Sequence, residues 1–215
     1  MNGSPCVFVV DDDQAARKSL QCVLKTADLD TQLFASAREF LDSYDAGQPG
    51  CLLLDLHMPG MSGLELLEAL ASMGIDIPTV IFTGYGEVSS AVDSLKKGSV
   101  DFIEKPIGAD RLLAGVERAL AQDAQARQNR ANRLGASARI DQLTPREREI
   151  MALLAEGKSV KEIAARLSIS PKTVQVHRSH IVRKTDARSI VELTHLFLLA
   201  NGQLTPPKPN EPHSP

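Results

Sequence analysis

Three aspartates in a row, Asp11, Asp12 and Asp13, follow the apolar run Val7–Val10, and a fourth, Asp55, follows the run Cys51–Leu54. Thr83 follows the run Thr79–Phe82, and Lys105-Pro106 comes after the run Val100–Ile103. Carboxylates gathered in one pocket repel one another strongly unless a cation lies among them. A hard divalent ion such as Mg2+, with oxygen ligands and some retained water, resolves that conflict. With a lysine ammonium and a threonine hydroxyl added, Asp55 would sit in a clamp for a phosphoryl group, giving the positioning and charge neutralisation that phosphoryl transfer requires. Each residue alone has an ordinary explanation: an Asp run caps helices, Thr-Gly makes turns, Lys-Pro occurs in loops. The chemistry rests on their joint placement at the ends of alternating elements.

Those elements can be read from the pattern. Val7–Val10, Thr31–Phe34, Cys51–Leu54, Thr79–Phe82 and Val100–Ile103 are short and mostly β-branched, aromatic or leucine. Four of them read as strands buried on both faces, as in a parallel sheet covered by helices. Between them come helical spacings: Leu20, Val23, Leu24 and Ala27 in one segment, Leu112, Val116, Ala119 and Leu120 in another. Ser36 with Glu39 reads as a capping box, and Gly98 as the end of the helix before the fifth strand. Five βα units make an α/β doubly wound domain over residues 1–122. In such sheets ligands bind beyond the carboxyl ends of the strands, and the order 2-1-3-4-5 sets strands one and three side by side, joining their carboxylates.

Residues 123–139 are rich in Ala, Gln, Asn and Arg and read as a helical linker that frays near Gly135. Residues 140–204 change character to a small all-α domain. Thr144, Pro145 and Glu147 supply an N-cap, a proline at the first helical position and a reciprocal glutamate. Ser159 with Glu162 and Ser189 with Glu192 repeat the box, and Ser170-Pro171 starts a further helix. Val160, Ile163, Ala164 and Leu167 give one helix its buried face, Ser168-Ile169-Ser170 makes a turn, and Pro171 begins the next: a helix-turn-helix. On that second helix Val174, His177, Ile181 and Thr185 fall inward, while Lys172, Gln175, Val176, Ser179 and Arg183 fall outward. Cations for phosphates, an amide for adenine and a small apolar group for a thymine methyl suit a major groove. A solvated helix face is the alternative, but no acidic residue occurs between Glu162 and Asp186 to repel a phosphate backbone. The proline-rich segment 205–215 is expected to be a disordered tail.

The net charge of −3 argues against a nucleic-acid partner until it is divided. Residues 1–122 carry 9 basic and 18 acidic side chains, whereas 140–204 carry 10 and 7, so the halves suit different partners. Base stacking on single strands is disfavoured, because Phe197 is the lone aromatic of the second half. No apolar run approaches a membrane span and no signal-peptide layout opens the chain, so a cytoplasmic protein without a membrane partner is expected. The three cysteines lack metal-ligand spacing, and Cys6 and Cys51 read as buried free thiols.

VFVVDDD, LLLDLHMPGMSGLELL, TVIFTGYGE and DFIEKPI together resemble the flavodoxin/CheY-like receiver domains of two-component response regulators, especially the FixJ-like group, across residues 5–122. The resemblance implies that Asp55 accepts phosphate from the phosphohistidine of a sensor histidine kinase. Asp12 would bind Mg2+ directly, Asp11 largely through water, and His57 through its backbone carbonyl. Thr83 and Lys105 would grip the phosphate, Phe102 would turn inward as Thr83 moves, and Lys105-Pro106 would be cis. His57 and Tyr85 would shape access to the pocket, and Asp13 would not be a ligand.

LTPREREIMALLAEGKSVKEIAARLSISPKTVQVHRSHIVRK similarly resembles the LuxR/NarL/FixJ class of four-helix DNA-binding domain. It implies that Gln175, Val176 and Ser179 face base edges, and that Lys172, Thr173, Arg178 and Arg183 hold phosphates, with Lys184 as a further candidate. Gln175 and Ser179 stand where family members often carry lysine, so base preference does not transfer. The resulting expectation is a phosphorylation-switched regulator, more often an activator. It would dimerise through the face formed by the helix carrying Val88, Val92 and Leu95, the fifth strand and the helix after it. Promoter DNA and RNA polymerase would be its partners. The rivals are a phosphoryl-transfer enzyme and a regulator whose receiver serves only for dimerisation.

Overall fold

The computed structural model describes residues 4–84, 101–106 and 108–203. They divide into two compact units, up to Ala126 and from Arg127. The first holds five strands, β1 (Cys6–Val10), β2 (Asp30–Phe34), β3 (Gly50–Leu54), β4 (Thr79–Thr83) and β5 (Asp101–Glu104), all parallel in the order β2-β1-β3-β4-β5. The expected doubly wound topology is thus present, with β1 and β3 adjacent.

Alternation along the strands builds two cores, one on each face of the sheet. Phe8, Val10, Leu52, Leu54 and Ile81 point to one side, where they meet Phe40 of α2 (Ala37–Ser43) and Leu66 and Leu70 of α3 (Gly63–Ser72). Val7, Val9, Cys51, Leu53 and Val80 point to the other, against Leu20 and Leu24 of α1 (Gln14–Thr26) and Leu112 and Val116 of α4 (Ala109–Asp141). Of the strands read as buried on both faces, β1, β3 and β4 are buried throughout. β5 is only half-buried because it is an edge strand, as is β2. Cys6 and Cys51 are buried on opposite faces, and burial pushes their thiols up to about 11 and about 12, with Asp30 and Asp123 adding to the respective shifts. They are unreactive core residues. Cys22 is exposed.

The caps fall into two types. Ser62, Thr144 and Ser159, with φ near −70°, form full capping boxes with Glu65, Glu147 and Glu162. Ser36 and Ser189 are more extended, with φ of −157° and −149°. There the serine still accepts the glutamate N–H, but Glu39 and Glu192 reach one residue further back, to the N–H of Ala35 and Arg188. The boxes expected at those two serines are therefore half-boxes, and the backbone angle at the cap decides which.

The second unit is all helix: α5 (Pro145–Ala155), α6 (Val160–Leu167), α7 (Pro171–Thr185) and α8 (Ile190–Ala200). Ile150, Met151, Ile163, Val174, Ile181 and Leu193 form its core. The expected fraying near Gly135 does not occur, because α4 runs unbroken to Asp141. One glycine costs such a helix only about 1 kcal/mol, and the alanine-rich sequence favours it. Ala136, just past Gly135, is 3% exposed and belongs to the core of the second unit, so this segment contributes more than a linker's composition suggested. Tyr85, Val88, Val92, Leu95, Gly98, Val100 and the tail 205–215 lie outside the described residues.

Candidate functional sites

The acidic pocket forms where β1, β3, β4 and β5 end. Asp55 follows β3, and its N–H donates to the Val10 carbonyl of β1 at 2.9 Å, which ties the two strand ends together. Asp11 and Asp55 are buried, while Asp12 stands exposed at the rim. One carboxylate oxygen from each of the three lies within 4.8 Å of the others. The Lys105 ammonium enters from β5 and donates to Asp11 at 2.8 Å and to Asp55 at 3.0 Å. Burial works against that charge, but the two carboxylates outweigh it and push the lysine pKa above its ordinary value. Its ammonium also lies 4.9 Å from the centre of the Phe82 ring, a cation–π contact. Thr83 is fully buried at the end of β4, its carbonyl accepting the Lys105 N–H at 2.7 Å and its hydroxyl 3.5 Å from His57 Nδ1. The Lys105-Pro106 bond is cis, as the family resemblance implied.

The remaining expected residues sort themselves by contact. Asp13 caps α1, accepting the Ala15 N–H at 2.8 Å, and so serves the helix. His57 borders Asp55, its N–H 3.4 Å from Asp55 Oδ1. Phe102 is half-buried and packs against the core on the α2/α3 face of the sheet.

Two contributors escaped the sequence reading. Arg17 of α1 donates to the Asp11 carbonyl at 2.5 Å and so pins the acidic loop. A Cβ on Gly63 would lie 2.3 Å from the Asp55 carbonyl oxygen, so only glycine lets α3 begin this close to the phosphoacceptor candidate. The Ser62-Gly63 pair inside the quoted motif carried that second signal; nothing in the pattern marked Arg17.

In the second unit, α6 and α7 are joined by a turn in which Ser168 adopts φ 53° and Ser170 caps α7. Val174, Ile181 and Thr185 are buried and His177 is half-buried, with Nδ1 finding no partner among the described residues. Lys172, Gln175, Val176, Arg178, Ser179 and Arg183 are exposed. Val176 keeps 48% of its surface, a large apolar side chain left outward on an otherwise polar face. The Ser179 hydroxyl donates to the Gln175 carbonyl at 3.1 Å, and Thr173 lies half-buried with its hydroxyl 2.8 Å from that of Ser170. Lys184 has another partner than solvent: its ammonium donates to the buried Glu147 carboxylate at 2.7 Å.

A doubly wound sheet with three carboxylates, a threonine and a lysine at its carboxyl edge, followed by a helix-turn-helix with a basic outward face, defines a receiver joined to a DNA-binding output domain. Models of two families match in the same order, the response regulator receiver domain over residues 7–117 and the bacterial regulatory proteins of the luxR family over 141–197. The transcriptional regulatory protein FixJ of Bradyrhizobium diazoefficiens is 40% identical over 194 residues, spanning 90% of this chain and 95% of its own. Among solved structures, the response regulator StyR superposes with a TM-score of 0.80 at 38% identity, covering 91% of this chain and 98% of its own. Full-length FixJ from B. japonicum gives 0.56 at 39% identity, covering 92% and 98%. The chain belongs to the FixJ-like response regulators, transcriptional regulators with a receiver and a LuxR-type DNA-binding domain.

Proposed function

We propose that Asp55 is the phosphoacceptor and that its phosphorylation raises the affinity of the second unit for promoter DNA. The observation that carries this is the Lys105 ammonium bonded at once to Asp11 and Asp55, beside a buried threonine hydroxyl. An Asp55 oxygen attacks the phosphorus of a kinase phosphohistidine, the N–P bond breaks, and the electron pair leaves with the imidazole. Lys105 shifts from the Asp55 carboxylate to an oxygen of the new phosphoryl group, and the Thr83 hydroxyl donates to another. Asp11 holds the ammonium in place through the exchange.

The carboxylate cluster fits a divalent ion, since one half-buried lysine neutralises only part of its charge. Asp12, Asp55 and the His57 carbonyl would hold Mg2+, with Asp11 acting through water; when bound, the ion neutralises charge on the phosphoryl oxygens.

Inward movement of Thr83 and Lys105 would open space for Phe102 to rotate and alter the outer face of β5. A homodimer of receivers then sets two α7 helices on a pseudo-palindromic site about one helical turn apart. Gln175, Val176 and Ser179 read base edges, and Lys172, Thr173, Arg178 and Arg183 hold phosphates. The coupling is a population shift, so the unphosphorylated chain binds the same site more weakly. A sensor histidine kinase and RNA polymerase are the protein partners of this reading, its setting is the cytoplasm, and activation its direction. No described helix is long and apolar enough to cross a membrane.

The test is incubation with Mg2+ and acetyl phosphate beside an Asp55→Asn variant, with intact mass and solution size read together. One phosphoryl group and a monomer-to-dimer shift are expected in the wild type alone. Unchanged mass and size in both would contradict the reading, and many turnovers per chain of a small phosphate ester would point to an enzyme instead.

A further inference from the structure

The DNA-binding reading leaves the Glu147 carboxylate unexplained. It is 3% exposed, whereas Glu65 and Glu162, its counterparts in the other two full capping boxes, are not buried. A box needs only a side-chain acceptor, which glutamine supplies as well. Glu147 Oε2 accepts the Thr144 N–H at 2.8 Å and the Thr144 hydroxyl at 3.0 Å, and takes the Lys184 ammonium at 2.7 Å. Oε1 faces His180 Nδ1 at 3.8 Å. His180 and Lys184 lie one turn apart on α7. A single acid on α5 therefore holds α7 through Lys184, with His180 one turn earlier facing its other oxygen. Burial alone would raise the Glu147 carboxyl, but Lys184 and Thr144 outweigh it and hold it down at about 2, so the charge persists at neutral pH. A buried ion pair seldom adds net stability, because desolvation consumes its Coulomb gain, so its effect is sought in orientation and charge.

We propose that Glu147 is a positioning residue of the DNA-binding domain that fixes the rotation of α7 about its axis and withholds the Lys184 ammonium from the phosphate backbone. Lys184 keeps 30% side-chain exposure, enough to reach the surface once released. The pair thereby restrains the sequence-independent part of binding, and base readout by Gln175 and Val176 carries more of the affinity. The inference rests on α7 being the DNA-contacting helix.

The test uses the full chain and a random-sequence duplex, with affinity measured against salt. Glu147→Gln keeps the cap and removes the charge. Its slope of log affinity against log salt is expected to steepen by about 0.9, an extra loss of about 3.5-fold for each fourfold rise in salt. Glu147→Gln/Lys184→Met, which removes both charges together, is expected to show the wild-type slope. An unchanged slope in the single variant with native helicity would overturn the inference. So would a double variant shallower than wild type by about 0.9, since Lys184 would then already touch phosphate; this reading survives even where the single variant fails to fold. A wild type that bound no duplex would overturn the DNA reading itself, a different failure from either of these.

Discussion

In the acidic pocket Lys105 bonds one partner 94 positions earlier in the chain and another 50 earlier, whereas the outward face of α7 is drawn from a single helix. The pocket exists only when four strand ends converge in a buried sheet, so its parts are interdependent. The face of α7 exists as soon as one helix forms and docks its inner side, so each outward side chain is nearly independent of the next. Groups sharing one hydrogen-bond network couple strongly, while separated surface groups add. Under the proposed function the pocket is therefore suited to a two-state decision, and the helix to graded discrimination among sequences.

The sharpest way to break this contrast is in the pocket. Asp55→Asn is expected to abolish phosphoryl uptake, and Lys105→Ala to lose nearly all of the response to it, read by intact mass and by size. If Lys105→Ala and Thr83→Ala proved mild and additive, the pocket would be as modular as the helix.

Gly63→Ala tests the framework beneath. Its Cβ would meet the Asp55 carbonyl oxygen at 2.3 Å and Leu56 Cα at 2.9 Å, both backbone atoms that cannot swing aside. A loss of about 2–4 kcal/mol in urea unfolding is expected for the receiver, with phosphorylation slowed in proportion to the displacement of Asp55.

The helix side is expected to yield smaller, separable effects. Gln175→Ala should cost about 1–3 kcal/mol on the preferred site and relax selectivity at one base position. Arg183→Ala should weaken all sequences alike and make the salt slope shallower by about 0.9. A variant of either kind that abolished all binding would show that the face is not modular.

Acid titration separates the units in a further way. The Glu147 carboxyl falls from an ordinary 4.5 to about 2 in the folded chain. A depressed folded value stabilises the fold fully above the unfolded value, and that contribution is lost as pH falls through the folded one. Helicity of the second unit should therefore weaken between about pH 5 and pH 2, and Glu147→Gln should flatten the dependence in that window, as read by thermal melts across the range.

Much of both sites was legible in the chain because their signals are local. Strand ends were marked by Asp11, Asp55 and Thr83 against apolar runs, and the inner and outer faces of α7 followed from helical spacing. Side chains that act across long separations left no such mark. Glu147 could be read as a capping glutamate, but not as the partner of Lys184, 37 residues away. Arg17 showed no sign of reaching the Asp11 carbonyl. The half-exposure of β5 followed from its edge position, which the order 2-1-3-4-5 already implied although the apolar run Val100–Ile103 by itself suggested burial. The burial of Ala136 in a core built from later helices likewise left no local mark.

Under the proposed function the state of the pocket sets the affinity of the helix. This coupling is tested most directly by measuring binding to one preferred duplex before and after treatment with Mg2+ and acetyl phosphate, in wild type and Asp55→Asn. Phosphorylated wild type is predicted to bind more tightly by at least tenfold, about 1.4 kcal/mol, with the variant unchanged at the weaker level. Equal affinity in all four samples, with the wild type shown by mass to carry its phosphoryl group, would contradict the account.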